Sequence, residues 1–516
     1  MRRPAGPGLL ARCWTCAPRS AWLPWRMASS HVSTSTPRSV ATPAWVKHAV
    51  FYQVFPDRFA RSERVPKPAG LEPWEAPPTV HGYKGGDLLG VVERLDHVQA
   101  LGATALYLNP VFQSGANHRY HTHDYFRVDP MLGGDAALRE LLDAAHARGM
   151  RVVLDGVLNH ASRGLLQFHD VLENGSASAY LDWWHVEGFP LGAYGEGDGR
   201  RRYEAWWGLP ALPKFNTDTP AVREFLWSVG EHWLRFGIDG WRLDVPSEID
   251  DDAFWREFRR RCRAVNPEAY LVGEIWHEAE RWLQGDQFDA VMNYPLTRAI
   301  LGYVAREIDE AEVGRSGYGK IPSCSAQGFR KVLEAELGRY HPEVVQAQFN
   351  LLGSHDTPRL LSVLRGDHEA VRLAFALLFS LPGTPCVYYG DELGLAGGHD
   401  PGCRQGMPWG LEATWDRETL HWVRDVAALR HAHPALRIGS TEVVYAHHGV
   451  LMVRRRAADE DLLVVINADG DFTSHVSLEG VPEARRAPLL GEGEAHVEGG
   501  RAHVRVPGRR AAVFSL

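Results

Sequence analysis

GIDGWRLDV (237–245) is a short apolar run that opens on glycine and carries Arg242 and Asp244 at its far end. Upstream, Val222, Phe225, Leu226, Val229 and Trp233 recur at spacings of three and four, the period of one helix face, and Gly237 stops the stripe. Helix stripe, glycine stop and apolar run form the repeating unit of an α/β chain. The unit recurs upstream. Leu88, Val92, Leu95, Val98 and Leu101 precede Gly102, and Leu138, Leu141, Leu142 and Ala145 precede Gly149.

Eight apolar runs can be read in this way: AVFYQVFP (49–56), ATALYLNPV (103–111), MRVVLDGVL (150–158), GIDGWRLDV (237–245), AYLVGEIW (269–276), FDAVMNY (288–294), QFNLLGSHD (348–356) and PCVYYGDE (385–392). They are continuous rather than alternating, as parallel strands buried on both faces must be. Eight such units predict an α/β TIM (β/α)8 barrel over residues 46–435. Residues 159–217 interrupt the repeat after the third run. They are rich in Gly, Trp and Tyr and too long for a structureless loop, so they predict a small inserted subdomain. From 436 to 516 the pattern changes to short runs such as VLMVRRRA (450–457) and DLLVVINA (461–468) with Gly and Asp turns, which predicts a C-terminal antiparallel β domain of sandwich type.

Residues 1–45 are basic, rich in Pro, Ser and Thr, and lack acids, which predicts a disordered leader. Arg12, Arg19 and Arg26 break every stretch that could serve as a secretory core. A start at Met27 and a transit peptide are the other readings. No apolar run reaches the roughly 20 residues of a membrane span. The net charge is −8 without a basic stripe, which argues against a nucleic-acid partner. Six cysteines are scattered, and the lone pair Cys13 and Cys16 has no partner set for zinc. Reduced thiols in a cytoplasmic protein are expected. The chain has 18 Trp, 16 Tyr and 19 Phe, which can fill a large core or stack on the apolar faces of sugar rings.

In such a barrel the chemistry lies at the C-terminal strand ends. Those ends carry Asp155, Asn159 and His160, then Arg242 and Asp244, then Glu274, then His355 and Asp356. Crowding acids on one rim costs free energy, so the pattern points to function rather than stability. The four motifs DGVLNH, GWRLD, GEIW and SHD resemble, in order and spacing, those of glycoside hydrolase family 13, the α-amylase family. The resemblance covers about residues 48–516 and implies a retaining mechanism: Asp244 as nucleophile, Glu274 as acid/base, and Asp356 as the third acid that holds and distorts the sugar. It further implies that His160, His355, Arg242 and Tyr120 (in NHRYHTHDY) contact the substrate or support the acids. Asp155 is expected to position Arg242. A raised pKa is expected at Glu274, with Asp244 kept ionised by Arg242.

LPKFN (212–216), GDQFDAVMNYP (285–295) and YYGDELGLAGGHDPGCRQGMPW (388–409) resemble the neopullulanase, cyclomaltodextrinase and maltogenic amylase branch. That likeness nominates Asp400 and Arg404 for substrate binding, and Glu248 as a lining residue or a helix-start acid. The chain departs from the branch at Val245–Glu248 and at His121, where Asp is common. It also departs in lacking room for the usual β domain before the barrel, so a monomer with an open cleft is expected. The implied substrates are maltooligosaccharides, cyclodextrins, pullulan or starch, cleaved at α-1,4 bonds, with α-1,6 bonds left open. No cofactor is expected. The stretch PDRFARSERVPK (56–67) lacks a calcium-type ligand run, so no metal is assigned. A glucanotransferase or isomerase on the same scaffold is the nearest alternative. A non-catalytic carbohydrate-binding barrel is a remote one, because such relatives lose the acids.

Overall fold

The computed structural model describes residues 40–478 and 480–516; the expected leader, up to residue 39, lies outside them. Eight parallel strands build the main sheet: β1 (Phe51–Val54), β2 (Ala105–Leu108), β3 (Arg151–Gly156), β4 (Gly240–Leu243), β5 (Tyr270–Gly273), β6 (Ala290–Val291), β7 (Phe349–Leu351) and β8 (Thr384–Tyr388). Their order is β6-β5-β4-β3-β2-β1-β8-β7. A parallel bridge between Met292 and Phe349 joins the two ends, so the sheet closes into a barrel. All eight expected runs contain a barrel strand.

The β6–β7 junction is short of backbone ladder, and side chains fill in. Val291 N–H donates to Gln348 Oε1 at 2.9 Å, and Asn293 Nδ2 donates to Asn350 Oδ1 at 3.1 Å. At the other end of the strands, Phe51, Tyr270 and Phe349 pack together with ring centroids 5.1–5.9 Å apart. Trp45 lies against Phe51 and Tyr270, and its indole N–H donates to Glu268 O at 2.9 Å. Residues 40–45, which composition groups with the leader, are therefore packed on the barrel floor. A single large aromatic outweighs the polar character of its neighbours there.

The helix before β4 (Pro220–Phe236) shows why the elements fall where they do. Pro220 opens it, and Val222, Leu226, Val229 and Trp233 are buried along one stripe. Gly237, at φ 115°, ends it in the left-handed region that only glycine enters without strain. Gly230 on the same helix has no room for a side chain: a Cβ there would lie 2.7 Å from Phe258 on the next helix, Asp252–Val265. The inserted subdomain has few regular elements. It is tied by antiparallel bridges between His160 and Lys214, Trp184 and Phe215, Val186 and Tyr203, and Ala205 and Pro213.

After the helix Arg417–Ala432 and a short turn of helix, nine antiparallel strands follow among the described residues: β9 (Ser440–His447), β10 (Val450–Ala457), β11 (Glu460–Asn467), β12 (Phe472–Ser477), β13 (Ala484–Arg486), β14 (Pro488–Gly491), β15 (Glu494–Glu498), β16 (Arg501–Val506) and β17 (Arg510–Ser515). They form sheets of order β9-β10-β11-β17-β14 and β12-β16-β15-β13. A second core, including Met452, Leu463, Val504 and Phe514, fills the space between them. Among the described residues no helix is long and apolar enough to cross a membrane.

Candidate active site

The C-terminal ends of β3, β4 and β5 bring three of the predicted acids together around one guanidinium. Arg242, buried on β4, donates through Nη1 to Asp155 Oδ1 at 2.8 Å and to Asp244 Oδ1 at 3.0 Å. Its Nη2 lies 2.9 Å from Glu274 Oε2. Asp155 thus pairs with Arg242, and one cation touches all three acids. Glu274 has two hydrogen-bond donors besides this ion pair, the Val245 amide at 3.1 Å and the Trp276 indole N–H at 3.1 Å. Val245 makes the first of these from a left-handed backbone, φ 36° and ψ 50°, which a β-branched residue adopts only under strain. The turn after Asp244 is thus bent toward Glu274.

Asp356 joins the cluster from the end of β7. His355 Nε2 is 3.0 Å from its Oδ2, and Arg404 Nη2 donates to its Oδ1 at 3.3 Å. Arg404 also donates from Nε to His355 O at 2.8 Å, and its Nη1 pairs with Asp400 at 2.9 Å. Its donors are turned to Asp356, Asp400 and the backbone, which makes it a brace for the acid as much as a substrate contact. Glu248 lies apart from the cluster, half exposed, with Lys214 3.9 Å away.

Tyr120 and His355 are stacked, centroids 5.4 Å apart and planes 7° from parallel. The Tyr120 hydroxyl donates to Asp155 Oδ2 at 2.8 Å and faces His355 Nε2 at 2.6 Å. His355 Nδ1 receives the amide groups of Gln53 and Asn109, each at 3.0 Å. Two amide donors on Nδ1 require a lone pair there, so the proton sits on Nε2, pointing at Tyr120 and Asp356. Burial and the cations Arg404 and Arg242 hold His355 well below the usual imidazole range, in keeping with a neutral ring. His160 is also buried, and burial brings it down to about 3. Its Nδ1 faces the Asn159 amide at 3.3 Å, which leaves a buried Nε2–H without an acceptor. An orphan donor on the rim suits a ligand hydroxyl. Trp206 of the inserted subdomain stacks on this ring at 5.0 Å.

The charge distribution departs from the expected one. Burial pushes the Asp244 carboxyl well up, Glu274, Asp155 and Asp356 add to the push, and Arg242 opposes it. Burial is the largest cause, and among the described residues Arg242 is the one hydrogen-bond donor to Asp244. Burial and the Glu274 charge likewise push Asp356 up to about 7.

Gln53, Tyr107, Asn109 and Trp206 are participants that motif reading missed, and Trp276 closes the motif GEIW without an assigned role. Tyr107 donates to Asp155 Oδ2 at 2.7 Å. A polar residue inside an apolar run was the available signal for Gln53 in FYQVF and Asn109 in LYLNP. Nothing local marks Trp206, which follows His160 by a long insertion. Among the described residues no group of His, Cys, Asp or Glu could hold a metal.

Residues 53–447 match the family model described as Alpha-amylase, "Alpha amylase, catalytic domain". The chain belongs to the alpha-amylase family. A cyclomaltodextrinase of Bacillus sp is 45% identical over 431 residues, 83% of this chain and 74% of that one. A Thermus thermophilus protein of solved structure superposes with a TM-score of 0.87 at 53% identity, covering 92% of this chain and 100% of that one. The debranching enzyme of Nostoc punctiforme superposes at 0.86 with 45% identity, covering 93% and 100%. The alpha-amylase assignment agrees with the family that the four motifs resemble, and the cyclomaltodextrinase likeness with the branch that 212–216, 285–295 and 388–409 resemble.

Proposed function

We propose that this alpha-amylase-family glycoside hydrolase cleaves α-glucosidic bonds of maltooligosaccharides, cyclodextrins, pullulan or starch with retention of configuration. The observation that supports this most is the single Arg242 guanidinium touching Asp155, Asp244 and Glu274 on the barrel rim. Asp244 attacks the anomeric carbon while Glu274 gives its proton to the departing glycosidic oxygen. A glycosyl–aspartate ester forms and the leaving sugar departs as an alcohol. Glu274, now a carboxylate, takes a proton from water; the resulting hydroxide displaces Asp244, and the sugar hemiacetal is released. A retaining pair needs its carboxyl groups about 5–5.5 Å apart, and one guanidinium bridging both suits that spacing.

Turnover requires a proton on Glu274 and the negative charge on Asp244. Positive charge developing at the anomeric carbon draws the Asp244 anion out as the bond breaks, and Arg242 holds it in place meanwhile. Asp356, His355 and the orphan His160 Nε2–H bind hydroxyls of the reacting ring, and Tyr120 lies against it. The names of the relatives, a cyclomaltodextrinase and a debranching enzyme, support both α-1,4 and α-1,6 bonds as targets. One digest panel of cyclodextrin, pullulan, starch and maltotriose, with products separated by size, tests the reading; no product from any of them would sink it. The reading includes a monomer, for which size-exclusion mass is the check.

A further inference from the structure

The inserted subdomain carries two adjacent tryptophans on the turn 205–209. Trp207 is 75% exposed, more than any other large hydrophobic side chain described. Its backbone lies in the left-handed region, φ 50° and ψ 22°, where a bulky residue is strained. Gly208 follows in the same region at φ 71°. A turn of this shape needs glycine at 207 for comfort, yet the chain holds a large apolar ring there, in water. Neither burial nor backbone preference accounts for that choice.

The rings form a column. Trp207 stacks on Trp206 at 4.7 Å and 12°, and Trp206 stacks on His160 at 5.0 Å and 17°. The column therefore starts at a rim residue and ends at an open indole face. Its base is fixed by the ladder that anchors the insertion. Trp206 N–H donates to Leu212 O at 2.9 Å, Ala205 bridges to Pro213, and Lys214 bridges to His160 itself. Trp207 is thus registered to the active site through backbone and is not a free loop tip.

We propose that Trp207 is a stacking platform for a glucose ring lying outside the catalytic cleft, and that it favours long α-glucans over short ones. The proposal rests on the reading of this chain as an α-glucan hydrolase. A pyranose ring offers an apolar C–H face, and a fixed, flat, solvent-facing indole in line with the rim matches it. A sugar chain leaving the His160 side of the cleft would run along the column.

The test uses the full-length protein in an Asp244→Asn background, with Trp207→Ala and Trp207→Gly added separately. Calorimetry measures the affinities for maltotriose and maltoheptaose. The maltoheptaose-to-maltotriose affinity ratio should fall roughly five- to tenfold in both variants. The melting temperature of Trp207→Gly should hold or rise, because glycine relieves the left-handed backbone. Equal loss for both sugars, or an unchanged ratio, would overturn the platform. So would a change in solution mass on replacing Trp207, which would assign the exposed ring to contact between copies. Wild-type protein that cleaves α-glucans while the ratio stays fixed removes the platform alone. Wild-type protein inert on every α-glucan removes the hydrolase reading with it.

Discussion

Arg242 on the barrel rim and Arg455 on β10 are both fully buried, yet they are neutralised by different means. Arg242 sits among Asp155, Asp244 and Glu274, and those anions hold it well above the ordinary arginine value despite burial. Arg455 donates to the carbonyls of Ser380, Leu436 and Gly439. Its neighbour Arg430 donates to Phe379, Leu381, Leu436 and Gly383. Burial brings Arg455 and Arg430 down to about 9, and Arg455 adds to the effect on Arg430. Several of these carbonyls close the helix His368–Ser380, where the backbone dipole is negative. Carbonyls can neutralise a buried guanidinium and tie the β domain to the barrel. The rim instead uses ionisable acids in surplus, which is a poor way to stabilise a fold and a good way to keep a transferable proton and a nucleophile together.

That contrast can be broken by exchange of single groups. Asp244→Asn should lower kcat by roughly four or more orders of magnitude while the circular dichroism spectrum is retained. Turnover near the wild-type rate would end the rim's catalytic reading. Arg455→Met should leave kcat within about twofold but lower unfolding free energy by about 2–4 kcal/mol in urea titration, because the buried carbonyls of Ser380 and Gly439 lose their donor and Leu436 keeps only Arg430. A marked loss of kcat with unchanged stability would erase the difference between the two arginines. Tyr120→Phe removes a hydroxyl that links Asp155 and His355, and should cut kcat/KM about ten- to a hundredfold.

The smallest effect concerns stability and pH. Asp244 has a raised pKa when folded, so between the unfolded value and the folded one the native state binds more protons. Its contribution is therefore lost as pH rises. Asp244→Asn should melt higher than wild type above neutral pH, with the gain vanishing below about pH 4. A destabilised variant at pH 8 would show that Arg242 outweighs the repulsion.

Much of this contrast was readable in the sequence, for identifiable reasons. Strands buried on both faces become uninterrupted apolar runs, so each of the eight barrel strands could be placed. Rim residues follow once strand ends are known: Asp155 lies near the end of β3, Asp244 and Glu274 directly follow β4 and β5, and Asp356 lies in the loop after β7. The packing beneath them was hidden. Gln53 and Asn109 meet His355 only because β1 and β2 lie side by side, and Trp206 meets His160 only through the insertion's ladder. The upward push on Asp244 was hidden too, since it depends on burial and on acids brought in from other strands. Trp45 was misgrouped because composition averages over a window, whereas one ring can anchor a segment.

The closure between β6 and β7 has a mechanical meaning. Seven of the eight strand junctions are ladders, and this one is a single bridge reinforced by the amides of Gln348 and Asn350. A hoop fastened unevenly tears at its clasp. That clasp lies between the strand leading to Glu274 and the strand leading to Asp356. Warming that loosens it would spread those two acids while the rest of the hoop still held, so heat should disarm the enzyme a few degrees before it unfolds.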